Sequence, residues 1–113
     1  MTDKLLGSDV IGINAEYSSE QEIPYSIIQL SNKNEAFLIE LMSLGSCSKL
    51  NNCLTEIVSS EKTTIVGFDF EQHLKNFETE LPDLSFVKKI FRYLDLKNAY
   101  QDWLGLNEKK QLD

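Results

Sequence analysis

The stretch Val10–Tyr17 constrains the fold most strongly, because it has the pattern of a buried β-strand within a chain of 113 residues. Its first half is apolar, and its second half carries two polar side chains, Asn14 and Glu16. Residues two apart on a strand point to the same face of a sheet. We therefore predict that Asn14 and Glu16 project together from one face, as the paired carboxylates of a strand-borne metal site would.

Composition and charge limit the classes of function that this chain can have. A net charge of −7 argues against broad electrostatic capture of nucleic-acid phosphates, although a local basic patch could still bind RNA. Cys47 and Cys53 are too few for a disulfide framework, do not have zinc-site spacing, and are expected to be reduced thiols. No apolar run approaches the roughly 20 residues of a membrane span, and we expect no signal peptide. The expected location is cytoplasmic or nuclear.

The first third of the chain predicts an antiparallel meander with short connections. Its predicted strands span residues 10–17, 25–30 and 36–41. In the second strand, alternation places Tyr25, Ile27 and Gln29 on one face. Pro24 suits the margin of that strand.

The rest of the chain predicts helices that alternate with short strands, because its apolar residues recur at spacings of three and four. The predicted helices span residues 47–60, 70–79 and 96–104, and the predicted strands span 63–68 and 92–94, with a connector or short helix before the last strand. Asp69 and Asp95 are expected to cap the second and third helices, and Gly105 is expected to end the third.

This order of elements predicts an α/β fold, in which a mixed sheet carries helices on its faces. One domain is expected over residues 10–106, with a flexible N-terminus at 1–9 and a flexible tail at 107–113. Large aromatic side chains are expected to lie mostly in the core: Phe68, Phe70, Phe77, Phe86, Phe91 and Trp103.

Three local patterns occur in a recognisable order: IGINAEY at 11–17, IIQLSNKNEAFLIELMSL at 27–44 and IVGFDFEQHLKNF at 65–77. A weaker fourth pattern is YLDLKNAYQDWL at 93–104. Together they resemble the 3′–5′ exonuclease domain of the DEDD superfamily, in its ribonuclease D and Werner-type branch. The resemblance implies an RNase H-like fold that is C-terminally short, because the family continues through further helices to a Tyr-x-x-x-Asp motif.

The resemblance implies a two-metal hydrolytic site built from four carboxylates, and this chain departs from that pattern. The family's first aspartate corresponds to Asn14, its glutamate to Glu16, and its second aspartate to His73, six positions after Gly67. The last carboxylate has no counterpart. An amide is a weak neutral ligand, and imidazole suits softer metals than Mg²⁺. We therefore predict no catalytic residue, no bound metal and no other cofactor.

The resemblance then implies a degenerate, non-catalytic domain that acts as a protein-binding scaffold in an RNA-related complex. Degenerate relatives suggest a germline small-RNA pathway or RNA transport. The acidic charge favours protein partners over tight RNA binding. Without the family's terminal helices, apolar surface would be exposed, so we also expect a homodimer.

Two alternative functions stay open at the level of the sequence. The first is an active exonuclease in which Glu16, with Asp69 or Glu71, binds a divalent metal in a shifted register. The second is a non-catalytic RNA-binding module. Its candidate residues are Lys75, Lys88, Lys89 and Arg92.

Overall fold

The computed structural model describes residues 1–17, 25–41 and 48–112, with side chains as far as Gly105. The described strands form a five-stranded sheet in the order β3-β2-β1-β4-β5. They are β1 (Val10–Tyr17), β2 (Tyr25–Ser31), β3 (Ala36–Glu40), β4 (Thr64–Gly67) and β5 (Tyr93–Asp95). The helices are α1 (Thr2–Leu5), α2 (Ser48–Val58), α3 (Glu71–Glu80), a 3₁₀ helix (Ser85–Lys89) and α4 (Leu96–Leu112).

The sheet is mixed, which confirms the predicted α/β architecture. β1, β2 and β3 form the antiparallel meander, whereas β4 lies parallel to β1, and β5 lies parallel to β4. Antiparallel neighbours can be joined by short turns, but parallel neighbours need a crossover, which α2 and α3 provide here. β1 therefore lies at the centre of the sheet.

The core lies between the helices and one face of the sheet. Alternation buries Ile11 and Ile13 of β1 on that face, and leaves Asn14 and Glu16 on the other. The buried apolar side chains are Leu5, Ile11, Ile13, Tyr25, Ile28, Leu30, Ile39, Leu41, Leu54, Ile57, Val58, Ile65, Phe70, Phe77, Leu81, Leu84 and Phe86. The N-terminal segment thus contributes to the core through Leu5 of α1.

Tyr25 lies on the opposite face of β2 from the one predicted. Its side chain is fully buried beneath the helices, whereas Ile27 and Gln29 lie on the other face. The register explains the difference, because Glu16 pairs with Ile27 while Tyr17 pairs with Tyr25, which leaves an extra residue in β2. Such a bulge locally changes the direction of side chains, and simple alternation does not predict it.

The aromatic residues divide between the core and the surface. Phe70, Phe77 and Phe86 are buried, as predicted. The prediction is wrong for the other three, because Phe68, Phe91 and Trp103 are 62%, 51% and 57% exposed. These three side chains are therefore available for contacts beyond the described core.

Asp69 does not cap α3, although it precedes that helix. The N-cap position is Phe70, and no side chain caps the helix from that position. Asp69 instead has a φ of 55°, in the left-handed region that aspartate tolerates better than most residues. Its side chain forms an ion pair of 3.2 Å with Lys97.

Asp95 supplies the hydrogen bonds that Asp69 was expected to make. Its Oδ1 accepts from the backbone N–H groups of Asp69 at 2.9 Å and of Lys97 at 3.0 Å. Its Oδ2 accepts from the N–H of Phe70 at 3.1 Å and the hydroxyl of Tyr93 at 3.2 Å. Asp95 is thus confirmed as the cap of the last helix, and it also fixes the turn before α3.

The turn that Asp95 fixes is tightly packed around Gly67. A Cβ atom on Gly67 would lie 2.7 Å from the Cβ of Phe70 and 2.8 Å from the hydroxyl of Tyr93. A larger residue would therefore push α3 and β5 away from the end of β4. The glycine of the IVGF pattern is explained by this close approach.

The prediction that Gly105 ends the last helix is wrong, because α4 continues to Leu112. A Cβ on Gly105 would meet no atom within 4 Å, so the position is not a tight turn. A glycine inside a helix costs only about 0.5–1 kcal/mol relative to alanine, and the following residues include good helix formers. Part of the predicted tail is consequently helical.

Some predicted features lie outside the described residues. These are Pro24, Cys47 and the residues that connect β3 to α2. Cys53 is a half-buried free thiol on α2. In the described part of the chain, no helix has the length and apolar character needed to cross a membrane.

Candidate functional site

The face of the sheet opposite the helices is open in the described structure, and β1 places its two polar residues there. Asn14 and Glu16 are both exposed and project from the same face, as predicted. Asn14 pairs directly with Gln29 across β1 and β2, and Glu16 pairs with Ile27. Directly opposite residues have Cβ atoms about 5 Å apart. The two carboxamides of Asn14 and Gln29 are therefore neighbours at the centre of the face.

A recess of about 490 Å³ lies at this centre. Its polar lining includes Asn14, Gln29 and Ser31, and its apolar rim includes Phe68 and Leu96. A smaller recess of about 70 Å³ continues beside Glu16 towards Ile27 and Leu38. We call the outward side of the sheet, from Leu38 on β3 to Leu94 on β5, the open face.

His73 lies on α3. Its imidazole forms a hydrogen bond on the helical side of the sheet and not on the open face. Its Nδ1 is 2.7 Å from the hydroxyl of Tyr25, and the side-chain amide of Asn76 donates to that same hydroxyl at 3.1 Å. A hydroxyl can donate one hydrogen bond and accept two, so it can be bonded to the Asn76 amide and to Nδ1 of His73 at the same time. His73 and Asn76 of α3 thus both hold the Tyr25 hydroxyl of β2.

Aromatic rings surround His73 and Tyr25 at the end of β1. The imidazole lies 5.4 Å from the ring of Tyr25, 5.3 Å from that of Phe70 and 6.2 Å from that of Tyr17. Burial raises the pKa of Tyr25, while the hydrogen bond from Asn76 acts in the opposite direction. The Tyr25 hydroxyl therefore remains protonated at neutral pH.

The residues of the expected metal site do not fit a pair of divalent cations. No group of three or more His, Cys, Asp or Glu side chains among the described residues could hold a metal ion. Glu16 is accompanied by neutral carboxamides, and Nδ1 of His73 is already used by Tyr25. Mg²⁺ takes oxygen ligands and is usually bound through one or two carboxylates together with waters or substrate phosphates. Among the described residues, the groups around Glu16 therefore do not form the four-carboxylate site that the resemblance implies.

The shifted-register alternative draws on Asp69 and Glu71. Asp69 is paired with Lys97, and Glu71 is an exposed residue in the first turn of α3. Neither side chain joins Glu16 in a described cluster of metal-binding type. This alternative stays a prediction.

The candidate RNA-binding residues lie on two parts of the chain. Lys88 and Lys89 are exposed at the end of the 3₁₀ helix, and Arg92 follows at the edge of the sheet. The Arg92 guanidinium lies 5.4 Å from the ring centre of Phe91. Lys75 is exposed on a different element, α3. Three of the four residues thus share one segment.

Two contributors to these surfaces were not identified from the sequence. Gln29 lines the central recess. It lies two residues after Ile27 in β2, and this spacing already indicated that the two side chains share a face. Phe91 is the exposed aromatic residue beside Arg92, but its helical spacing with apolar neighbours indicated the core. Exposure at the end of a short element depends on tertiary packing, which local spacing does not give.

Comparison with known proteins gives few sequence relatives. No family model matches the chain. A probable UDP-glucose:glycoprotein glucosyltransferase A of Dictyostelium discoideum is 29% identical over 82 residues, which cover 68% of this chain. The chain spans 5% of the length of that curated protein.

Comparison with solved structures identifies the fold. The EXO domain of Aedes aegypti Nibbler, known from a crystal structure, superposes with a TM-score of 0.73 at 16% sequence identity. The matched region covers 90% of this chain and 50% of that one. This chain therefore has an exonuclease-like α/β fold of the RNase H-like type.

Proposed function

We propose that this domain is a catalytically inactive, exonuclease-like module that acts as a protein-binding and dimerisation scaffold. Its proposed setting is an RNA-related complex of the cytoplasm or nucleus, such as a small-RNA or RNA-transport complex. The observation that carries the proposal is the open face, which combines an exposed apolar rim with neutral carboxamides at its centre. That centre lies on the strand where the resemblance implies a carboxylate pair.

The chemistry of the open face supports a non-catalytic role. Two-metal hydrolysis requires carboxylates that hold both cations against the scissile phosphate. Here Glu16 is the acidic member of the pair, and Asn14 supplies a neutral oxygen that binds divalent cations weakly. His73 stabilises the fold through Tyr25, instead of offering Nδ1 to a metal.

The apolar rim of the open face supports a role in assembly. Leu38 is 71% exposed on β3, and Phe68, Leu94 and Leu96 are exposed at the opposite side. The antiparallel part of a sheet can face solvent on one side, but exposed apolar side chains that form a contiguous patch mark interaction sites. The net charge of −7 makes phosphate-rich nucleic acid a less favourable ligand for this face than protein.

The absence of hydrolysis is tested with end-labelled single-stranded RNA in Mn²⁺ or Mg²⁺, followed as a time course on a denaturing gel. We expect the RNA to keep its length with the wild type and with Glu16→Ala, because one carboxylate cannot hold two cations. Glu40→Ala removes another exposed carboxylate of the sheet and serves as the matched control. Stepwise shortening from the 3′ end by wild type and Glu40→Ala, but not by Glu16→Ala, would show that the domain is an active exonuclease.

A weak RNA-binding function is the second candidate, and the exposed pair of Phe91 and Arg92 favours it. Exposed aromatic rings beside cations can stack bases while the cations contact phosphates. The segment 84–94 contains Lys88, Lys89 and Arg92 and no acidic residue, although the whole chain is acidic. The segment is therefore locally basic within an acidic chain.

Neutralising these cations tests the second candidate by fluorescence anisotropy with a labelled single-stranded RNA. For the triple variant Lys88→Gln, Lys89→Gln, Arg92→Gln, we expect at least a tenfold loss of affinity at low salt. Its log–log salt slope should fall by about 2, since each single-strand phosphate contact contributes about 0.7. Lys75→Gln, on the separate helix α3, should bind like the wild type. Equal binding by the triple variant, or no binding by the wild type, would reject this candidate.

A further inference from the structure

A cavity of about 750 Å³ lies at the start of β1, between the N-terminal segment and the hairpin that joins β2 to β3. We call it the N-terminal cleft. Its polar lining includes Lys4 and Ser8 from the N-terminal segment, and Lys33 and Asn34 from the hairpin. Small-molecule sites in proteins typically measure about 300–1,000 Å³. The N-terminal cleft therefore has the size of a ligand site.

Asn32 ties the two walls of the N-terminal cleft together. Its side-chain amide donates to the backbone carbonyl of Lys4 at 2.9 Å and to the hydroxyl of Ser8 at 3.0 Å. Its Oδ1 accepts from the backbone N–H groups of Asn34 at 2.9 Å and of Glu35 at 2.8 Å. The walls are thus held in place without a ligand, so binding would cost little ordering of the chain.

Each wall of the N-terminal cleft carries one lysine, Lys4 or Lys33. Both side chains are exposed, and among the described residues neither forms an ion pair with an acidic side chain. The lining also includes Asp9, which offsets part of this charge. Cations nevertheless outnumber anions here, although the whole chain has a net charge of −7. Two unpaired cations at one cavity favour an anionic ligand.

The N-terminal cleft adjoins the recess of the open face, because Gly12 and Ser31 line both cavities. These two residues are paired across β1 and β2. A Cβ atom on Gly12 would lie 3.1 Å from Oγ of Ser31, so a side chain there would narrow the connection. The next pair on this face is Asn14 with Gln29, about 7 Å further along the strands. Lysines and carboxamides therefore lie at opposite ends of one path.

We infer that the two cavities together bind a nucleoside diphosphate, with its phosphates in the N-terminal cleft and its base in the recess of the open face. Lysines on separate walls suit a ligand with more than one negative charge, since charge-assisted hydrogen bonds to phosphate oxygens are strong. The ribose would cross Gly12, where no side chain blocks the path. The inference goes beyond the proposed scaffold function and does not depend on it.

The recess supplies groups that bind a nucleobase. The side chains of Asn14 and Gln29 each carry an oxygen acceptor and an NH₂ donor, and such carboxamides bind the edges of bases. The ring of Phe68 is 62% exposed at the rim of the recess. Aromatic rings stack on bases of every kind. The neutral end of the path thus suits the base, as the lysine end suits the phosphates.

This orientation differs from that of a nucleotide held in a two-metal site. There the phosphate would lie against metal ions at the strand positions of Asn14 and Glu16. Here the phosphates lie beyond Gly12, beside Lys4 and Lys33, and need no metal ion. The two arrangements therefore predict opposite effects of a chelator.

Isothermal titration calorimetry with ADP, in EDTA and at low salt, tests the inference. We expect one ADP to bind per chain with a Kd below about 1 mM, because the lysines neutralise the phosphates without a metal ion. The affinity should fall as salt is added, since both lysines are exposed and their attraction is screened.

Variants separate the two ends of the site. Lys4→Gln with Lys33→Gln should weaken ADP binding at least about tenfold, because two charge-assisted contacts are lost. Phe68→Ala should weaken it at least about fivefold through lost stacking, and should keep the salt dependence of the wild type. Lys49→Gln with Lys75→Gln removes the same charge from exposed positions on α2 and α3, and should bind ADP like the wild type.

The outcomes distinguish the inference from the proposed function. Thermal melting establishes that the variants, whose changed residues are all exposed, remain folded. No heat of binding up to about 5 mM ADP overturns the inference, as does an equal loss in both double-lysine variants. ADP binding that needs Mg²⁺ or Mn²⁺ and disappears in Glu16→Ala also overturns it, and places the nucleotide at a metal site instead. RNA shortening in the hydrolysis assay overturns the proposed function, whether or not ADP binds.

Discussion

Replacing Asp95 with alanine is expected to lower the free energy of unfolding by about 3 kcal/mol, since one buried donor and three partly buried donors lose their acceptor. The carboxylate accepts from the N–H groups of Asp69, Phe70 and Lys97 and from the hydroxyl of Tyr93. It is 7% exposed, so water cannot fully replace it. For a domain of this size, the loss corresponds to a fall in Tm of more than about 10 °C. Urea unfolding and thermal melting measure both quantities.

Asp95→Asn serves as the graded comparison for this prediction. The carboxamide keeps one acceptor oxygen, but its NH₂ group faces two donors, so we expect about half of the alanine effect. Asp83→Ala removes an exposed carboxylate that lies in a turn, and should change stability by less than about 0.5 kcal/mol. If Asp95→Ala melted within 2 °C of the wild type, the capping network would not be stabilising the fold.

The protonation of Asp95 also predicts how this contribution changes with pH. Burial on its own would raise the pKa of Asp95, but the hydrogen bonds from Asp69, Lys97, Phe70 and Tyr93 outweigh it and lower the pKa. A lowered pKa in the folded state means that the stabilisation is complete above the unfolded value of about 3.9 and is lost below it. The Tm difference between wild type and Asp95→Asn should therefore be constant above about pH 5 and shrink as the pH falls through 4.

The protonation of Tyr93 is consistent with this network. Burial raises the pKa of the Tyr93 phenol well above its usual value, and the neighbouring carboxylate of Asp95 raises it further. The phenol therefore remains a hydrogen-bond donor throughout the pH range of the experiment. The pH dependence of the Tm difference then reports on the carboxylate and not on its partner.

Local periodicity predicted most of the fold, because the buried faces of its strands and helices follow regular spacings. The alternation of Ile11 and Ile13 with Gly12 and Asn14 placed the polar end of β1 on the correct face. The same rule failed at Tyr25, where a bulge inserts an extra residue. Register shifts depend on how two strands meet, and a single strand carries little information about them.

The capping arrangement shows a second limit of local reasoning. Asp69 precedes α3 and has the composition of an N-cap, yet the N–H groups at that turn donate to Asp95, 25 and 26 residues further along the chain. An acceptor on a neighbouring strand can replace a local cap when the sheet brings it close. Pairing of Gly67 with Asp95 in the parallel β4–β5 ladder creates that proximity.

The candidate site was predictable in position, but not in composition. Sequence alternation placed Asn14 and Glu16 together, and the structure adds Gln29 as the direct neighbour of Asn14. The hydrogen bond between His73 and Tyr25 depends on the bulge that buries Tyr25, so it could not be predicted from spacing. The hydrogen bond that occupies Nδ1 of His73 also joins β2 to α3.

Truncating Phe77 to alanine is expected to have the other large effect, a loss of about 3–5 kcal/mol. Phe77 is fully buried, and its ring lies 4.7 Å from Tyr25, 5.9 Å from Phe70 and 6.3 Å from Phe86. It thus links β2, the start of α3 and the 3₁₀ helix in one aromatic cluster. Since small domains are stable by only about 5–15 kcal/mol, the variant should melt at least 15 °C lower or be unfolded at 37 °C.

Phe68→Ala provides the matched control, because it removes the same side chain from the open face. Phe68 is 62% exposed, so its truncation leaves no cavity in the core and should change the unfolding free energy by less than about 1 kcal/mol. Measurements at about 5 µM keep association from contributing to stability. Equal losses for the two variants would mean that Phe68 is covered in the folded monomer and that the sheet has no open face. A large loss at Phe77 alone would support the one-sided core, and with it an uncovered surface for a second copy.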